Sequence, residues 1–138
     1  MPANGDSSIT QTFYKLGTMQ KVVIDIVADS GDGSVTATAL TTGKLDGYLI
    51  AIETNPGATA PTDNYDITLP DSDGIDVLQG LGANRDTANS EYATILIAGT
   101  NSDFHPPLCQ DEAYTLTVAN NSVNSAILKI VLFYSTVI

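Results

Sequence analysis

From Met19 onward, short β-branched runs alternate with clusters of turn residues, the texture of an all-β domain. KVVIDIVA (21–28) sets Val22, Ile24 and Ile26 on one face against Lys21, Val23 and Asp25 on the other. DSGDG (29–33) predicts a turn. SVTATALT (34–41) predicts a second alternating strand, and GYLIAIET (47–54) a strand apolar almost throughout. NPGATAPTDN (55–64) is a loop, because Pro56 and Pro61 cannot donate to a ladder. YDITL (65–69) and ATILIAGT (93–100) predict strands; PDSDGID (70–76) is a turn between them. VLQGLGANRDTANSE (77–91) is irregular, with a short helical turn expected near Ala88, and NSDFHPPLCQDE (101–112) is a loop. YTLTVANN (114–121) and SAILKIVLFYS (125–135) are expected to close the chain as an antiparallel pair across NSVN.

The pattern predicts a single-domain antiparallel β-sandwich or jelly roll of about seven or eight strands. Residues 1–16 are polar up to Phe13 and Tyr14, show no 3.6-residue apolar period, and predict an extended N-terminal arm in front of a sandwich domain at 17–138. The last strand is apolar on both faces. Ala126, Leu128, Ile130, Leu132 and Tyr134 share one, while Ile127, Val131 and Phe133 share the other with Lys129. Such a strand is either central between two layers or covered by a neighbouring subunit. Val137 and Ile138, bare aliphatics at the end of the sequence, favour an interface. The expectation is a homo-oligomer packed through this region as an edge.

Composition narrows the function classes. Hydrophobic residues make up 43% of 138 and charged residues 15%, which excludes a disordered chain. Five basic residues against sixteen acidic ones give a net charge of −11, and Arg85 is the one arginine. Nucleic-acid binding needs clustered Lys and Arg, and anionic membranes repel such a charge, so neither partner is expected. No apolar run is long enough to span a membrane as a helix, and MPANGDSSITQTFYK lacks the features of a signal peptide. Synthesis and folding in a cytoplasm are expected. The lone Cys109 predicts a small buried filler.

Candidate chemistry is thin. His105 is the one histidine, four residues from Cys109 in a proline-bearing loop, a poor scaffold for a nucleophile and base. There is no GxSxG elbow, no zinc-ligand set and no phosphate-cradling loop. A non-enzymatic protein is expected. Asp71, Asp73 and Asp76 in PDSDGID offer oxygen ligands of the kind calcium takes, although the spacing is not that of an EF-hand. The alternative for these three is a solvated turn, which favours Asp and Gly for its own geometry. Tyrosines are scattered and Trp is absent, which weakens a sugar-binding platform.

Two stretches carry a resemblance. GYLIAIETNPGATAPTDNYDITLPDSDGIDVLQGLGANRD (47–86) and TLTVANNSVNSAILKIVLFY (115–134) resemble small virion proteins of tailed bacteriophages. The matching residues are Pro56, Gly57, Ala60, Pro61, Thr62, Tyr65, Asp66 and Ile67, then Asp73, Gly74, Asp76, Val77 and Leu78, with Asn120 and Asn121 near the end. The resemblance implies a structural protein of the virion, of the capsid decoration or cement type, located on the outer capsid surface. It implies the major capsid protein or another virion protein as partner, and a trimer as the homo-oligomer. A neck or tail protein is the alternative within the class; a calcium-dependent glycan-binding module is the alternative outside it. On the decoration scheme the interface residues are Phe13 and Tyr14 in the arm, and Ile127, Val131, Phe133 and Ile138 at the C-terminal end. Deletion of residues 2–16 is expected to abolish attachment without unfolding the domain.

Overall fold

A computed structural model describes residues 6–40, 47–95, 97–98, 104–109 and 113–137. The protein is an all-β sandwich; no helix occurs among the described residues. The strands are β1 (Ser8–Leu16), β2 (Met19–Val27), β3 (Thr38–Ala39), β4 (Gly47–Pro56), β5 (Asp66–Thr68), β6 (Glu91–Thr94), β7 (Ile97–Ala98), β8 (Phe104–His105), β9 (Leu108–Cys109), β10 (Thr115–Ala119) and β11 (Ile127–Ser135). Seven of them are three residues or longer, in line with the periodicity.

The main sheet runs β1-β2-β11-β4-β6, with β9 paired to the start of β4. A three-stranded sheet, β3-β10-β5, faces it, and β7 and β8 form a separate pair. One core joins the two layers. Val22, Ile24 and Ile26 of β2, Leu128, Ile130 and Leu132 of β11, and Leu49 and Ile52 of β4 pack with Ile67, Leu69, Leu116 and Val118 from the opposite side. Each of these side chains is buried, a contribution of about 1.5–3 kcal/mol apiece relative to exposure. Cys109 is buried in the same cluster.

Four expectations are corrected. Residues 8–16 are not a free arm: β1 pairs with β2 over nine positions, from Ser8↔Val27 to Leu16↔Met19. Its polar side chains suit an edge strand, while Ile9 and Phe13 turn inward against the core. Deleting 2–16 would therefore strip the sheet of a strand. The second correction concerns the last two long strands, β10 and β11, which do not form a hairpin. β10 pairs with β3 and β5, whereas β11 lies between β2 and β4. The connection is anchored elsewhere: Asn121 Nδ2 donates to Gly33 O at 2.7 Å, and Asn121 Oδ1 accepts from Thr62 N at 2.9 Å. Asn120 and Ser125 adopt positive φ (61° and 54°), which redirects the chain from one layer to the other.

Third, of the strand expected over 34–41, whose last residue lies outside the described ones, residues 34–40 form a strand at Thr38–Ala39 alone, because side chains take the backbone groups of its first half. Thr36 N donates to Ser7 Oγ at 2.9 Å, and Thr38 Oγ1 donates to Thr36 O at 2.8 Å. Fourth, Ala88 sits in an Asx turn, its amide donating to Asp86 Oδ1 at 2.7 Å, and not in a helical turn. The consecutive turns lie upstream, where Gln79, Leu81 and Ala83 each donate back three residues.

Candidate functional site

β11 is the centre of the main sheet, not its edge. Its inward face, Leu128, Ile130, Leu132 and Tyr134, is buried by the second layer. The outward face is the distinctive surface of the molecule. Strand register arranges it in rows across β1, β2, β11 and β4: Ser8, Val27 and Ile127; Thr10, Asp25, Lys129 and Asn55; Thr12, Val23, Val131 and Glu53; Tyr14, Lys21 and Phe133. Residues two apart share a face, so these side chains all stand on the side away from the core. Ile127, Val27, Tyr14 and Tyr92 are exposed. Val131 is buried by its own neighbours, and the Phe133 ring lies 6.0 Å from that of Tyr92.

The charges on this face are placed within the apolar rows. Lys129 Nζ lies 3.9 Å from Asp25 Oδ1, with both side chains about half exposed, an arrangement worth at most about 1 kcal/mol. Lys21 Nζ sits 5.2 Å above the Tyr14 ring. At the end of the β1–β2 hairpin, Gly17 takes φ 62° and Leu16 is 84% exposed, with Met19 and Tyr14 exposed beside it.

Of the expected interface residues, Tyr14, Ile127, Val131 and Phe133 share the outward face of the sheet. Phe13 points the other way and packs on the core. Ile138 lies outside the described residues. Tyr92 and the Lys21, Asp25 and Lys129 charges were not singled out from the sequence as interface residues. The available signal was the ionic pair of positions inside two strands otherwise rich in β-branched and aliphatic residues.

The acidic loop is built for its own turn. Asp71 Oδ1 accepts from the amides of Asp73 and Ile75, each at 2.9 Å, and Gly74 takes φ 85°. Asp76 Oδ1 accepts from Leu69 N at 2.9 Å and Leu78 N at 3.1 Å, and its Oδ2 from Gly80 N at 3.2 Å. The structure does not gather Asp71, Asp73 and Asp76 into a calcium site: among the described residues no three His, Cys, Asp or Glu side chains converge as metal ligands.

The residues that carry the resemblance divide between the core, which holds Tyr65, Ile67, Val77 and Leu78, and turns and junctions. Asp66 Oδ1 accepts from Asn84 N at 2.8 Å and its Oδ2 from the Asn120 side chain. Thr62 Oγ1 accepts from Ser122 N at 2.9 Å. Gly57 lies so close to Ile127 that a Cβ there would meet its side chain at 2.6 Å. Two titratable groups are displaced in this region. Burial pushes the Tyr65 phenol up to about 12, with the neighbouring Thr54 side chain opposing the shift only in part. Bonds from the Asn89 side chain and the Ala88 amide hold the exposed Asp86 carboxyl below its usual value.

Comparison with protein-family models, with curated proteins and with solved structures finds no match to this chain. The fold and this face therefore define its class on their own terms: a β-sandwich with a two-layer core and a third, outward surface of mixed apolar and charged rows.

Proposed function

We propose that the chain is a non-enzymatic structural protein of a bacteriophage virion, a capsid decoration or cement protein that works as a small homo-oligomer on the outer surface of the head. The observation that carries the proposal is the apolar tip of the β1–β2 hairpin, with Leu16 84% exposed beside Tyr14 and Met19. A hairpin tip at the rim of a rigid sheet, ending in bare apolar side chains, is suited to seating between neighbouring subunits of a shell. The sequence resemblance to small virion proteins points the same way, and a net charge of −11 favours a basic outer surface over packaged DNA.

In mechanical terms, the sandwich core keeps the hairpin at a fixed angle, so seating of the tip costs little ordering entropy. Contacts to two shell subunits at once would then resist their separation. The test is co-sedimentation with phage heads stripped of this protein. Leu16→Asp combined with Met19→Asp should abolish binding while leaving the β-rich circular dichroism unchanged. Undiminished binding by that variant would refute the hairpin as the attachment element.

A further inference from the structure

We infer that two copies of this chain associate face to face through the outward side of the main sheet, about a two-fold axis that runs along the strands between β2 and β11. The inference deepens the homo-oligomer proposed above and rests on it. Charge selects the face. Its rows carry Lys21 and Lys129 against Asp25 and Glu53, which leaves fourteen acidic and three basic residues for the rest of the sequence. A second copy approaching elsewhere meets predominantly like charge; here it meets a balanced surface.

Register then selects the axis. A two-fold along the strands places β2 over β11 of the second copy, row upon row. Asp25 meets Lys129 of the partner subunit, and Lys129 meets the partner's Asp25. Val23 lies on the partner's Val131, Val27 on the partner's Ile127, and Thr12 on the partner's Glu53. The two intramolecular Asp25–Lys129 pairs, each at 3.9 Å, become a ring of four alternating charges flanked by aliphatic rows. The other in-plane two-fold, across the strands through the Val23–Val131 row, would set Glu53 against the partner's Glu53. It is disfavoured for that reason.

The size suffices. Four strands of nine or ten residues present a face of roughly 600 Å² per copy, so the pair buries somewhat over 1,000 Å² in total, near the lower bound of specific interfaces. Aligned packing, with mean strand directions within about 30° of each other and the sheets about 10 Å apart, is the ordinary geometry for such a contact, and the axis along the strands places this pair at the near-parallel end of that range. The contact is isologous, as closed dimers require.

Sedimentation velocity with the full chain tests this. The wild type should sediment as a dimer. Asp25→Lys surrounds the axis with four positive charges and Lys129→Asp with four negative ones, so each variant should dissociate roughly a hundredfold more readily. Mixing the two variants restores opposite charges across the axis, and the mixture should form a heterodimer that neither variant forms with itself. Both residues are about half exposed, and far-UV circular dichroism verifies that each variant is folded. A wild type that stays monomeric at millimolar concentration overturns the inference together with the homo-oligomer. An oligomer of any order that ignores both charge reversals overturns the inference and leaves the homo-oligomer standing. Variants that dissociate but fail to recombine overturn the axis.

Discussion

Asp29 offers the sharpest test of how this fold is held together. It is completely buried, and among the described residues its carboxylate accepts from three backbone donors. Oδ1 accepts from Gly31 N at 2.6 Å and Asp32 N at 3.2 Å, while Oδ2 accepts from Asp6 N at 2.9 Å. Its backbone oxygen accepts from Gly33 and Ser125, and its own amide donates to Ser34 O, so one residue ties the β2 turn, the N-terminal segment and the approach to β11. A hydrogen bond to a charged group contributes about 1.5–3 kcal/mol, but the three donors freed in Asp29→Ala belong to exposed residues and regain water. The net cost should therefore be about 3 kcal/mol rather than three full bonds. Asp29→Asn keeps one carbonyl oxygen for the Gly31 and Asp32 amides and loses the Asp6 bond, at a cost of about 1–2 kcal/mol. Urea unfolding measures both, with the midpoint shifting and the slope unchanged. If Asp29→Ala shifts stability by less than 1 kcal/mol, or if Asn is no better than Ala, the junction is not what holds these segments.

Tyr65 makes stability fall in alkali. Its folded pKa of about 12 lies above the ordinary value of 10.0, so the buried neutral phenol stabilises the fold fully below pH 10 and progressively less towards pH 12. About 2 kcal/mol should be lost across that window, and Tyr65→Phe should flatten the slope in urea titrations at stepped pH. Gly82→Ala should destabilise by about 2 kcal/mol or more, since its Cβ would collide with the Ile67 carbonyl oxygen; the thermal midpoint reports it, with Gly17→Ala, which meets no atom but costs about 1 kcal/mol for its positive φ, as the smaller reference. Millimolar calcium should leave the thermal midpoint unchanged and release no heat in calorimetry, because Asp71 and Asp76 are committed to backbone amides.

The long strands were legible because their periodicity is set by burial. KVVIDIVA alternates since β2 has a core on one side only, and TLTVA does so for the same reason on the opposite layer. Partner choice left no such mark. The proximity of 114–121 to 125–135 in sequence suggests a hairpin, yet Asn121 is bound to Gly33 and Thr62, residues more than fifty positions away. Long-range side-chain anchors of that kind have no local periodicity to betray them. β1 was obscured differently. Its inward positions, Ile9, Gln11 and Phe13, are only partly buried at an edge, so a polar residue is tolerated among them and the apolar alternation is diluted.

The last strand shows why a central strand and an interface strand were posed as alternatives when they are compatible. Periodicity reports that both faces of SAILKIVLFYS are apolar, and it is silent on what covers each. The fold assigns the second layer to one face and leaves Ile127 and Phe133 on the other, beside Tyr14 and Tyr92. Because β2 and β4 occupy both ladders of β11, a further subunit cannot add to it by strand pairing; it has to approach across the sheet. In the proposed pair, that constraint would turn Lys129 from an interruption of an apolar face into the residue that fixes register. A lysine amid Ile127, Val131 and Phe133 would cost desolvation under an apolar cover; in the proposed pair it would meet the partner's Asp25 as well as its own, which lies 3.9 Å away. The charge pattern of two strands would thereby specify, for the proposed pair, an orientation that hydrophobicity alone would leave free.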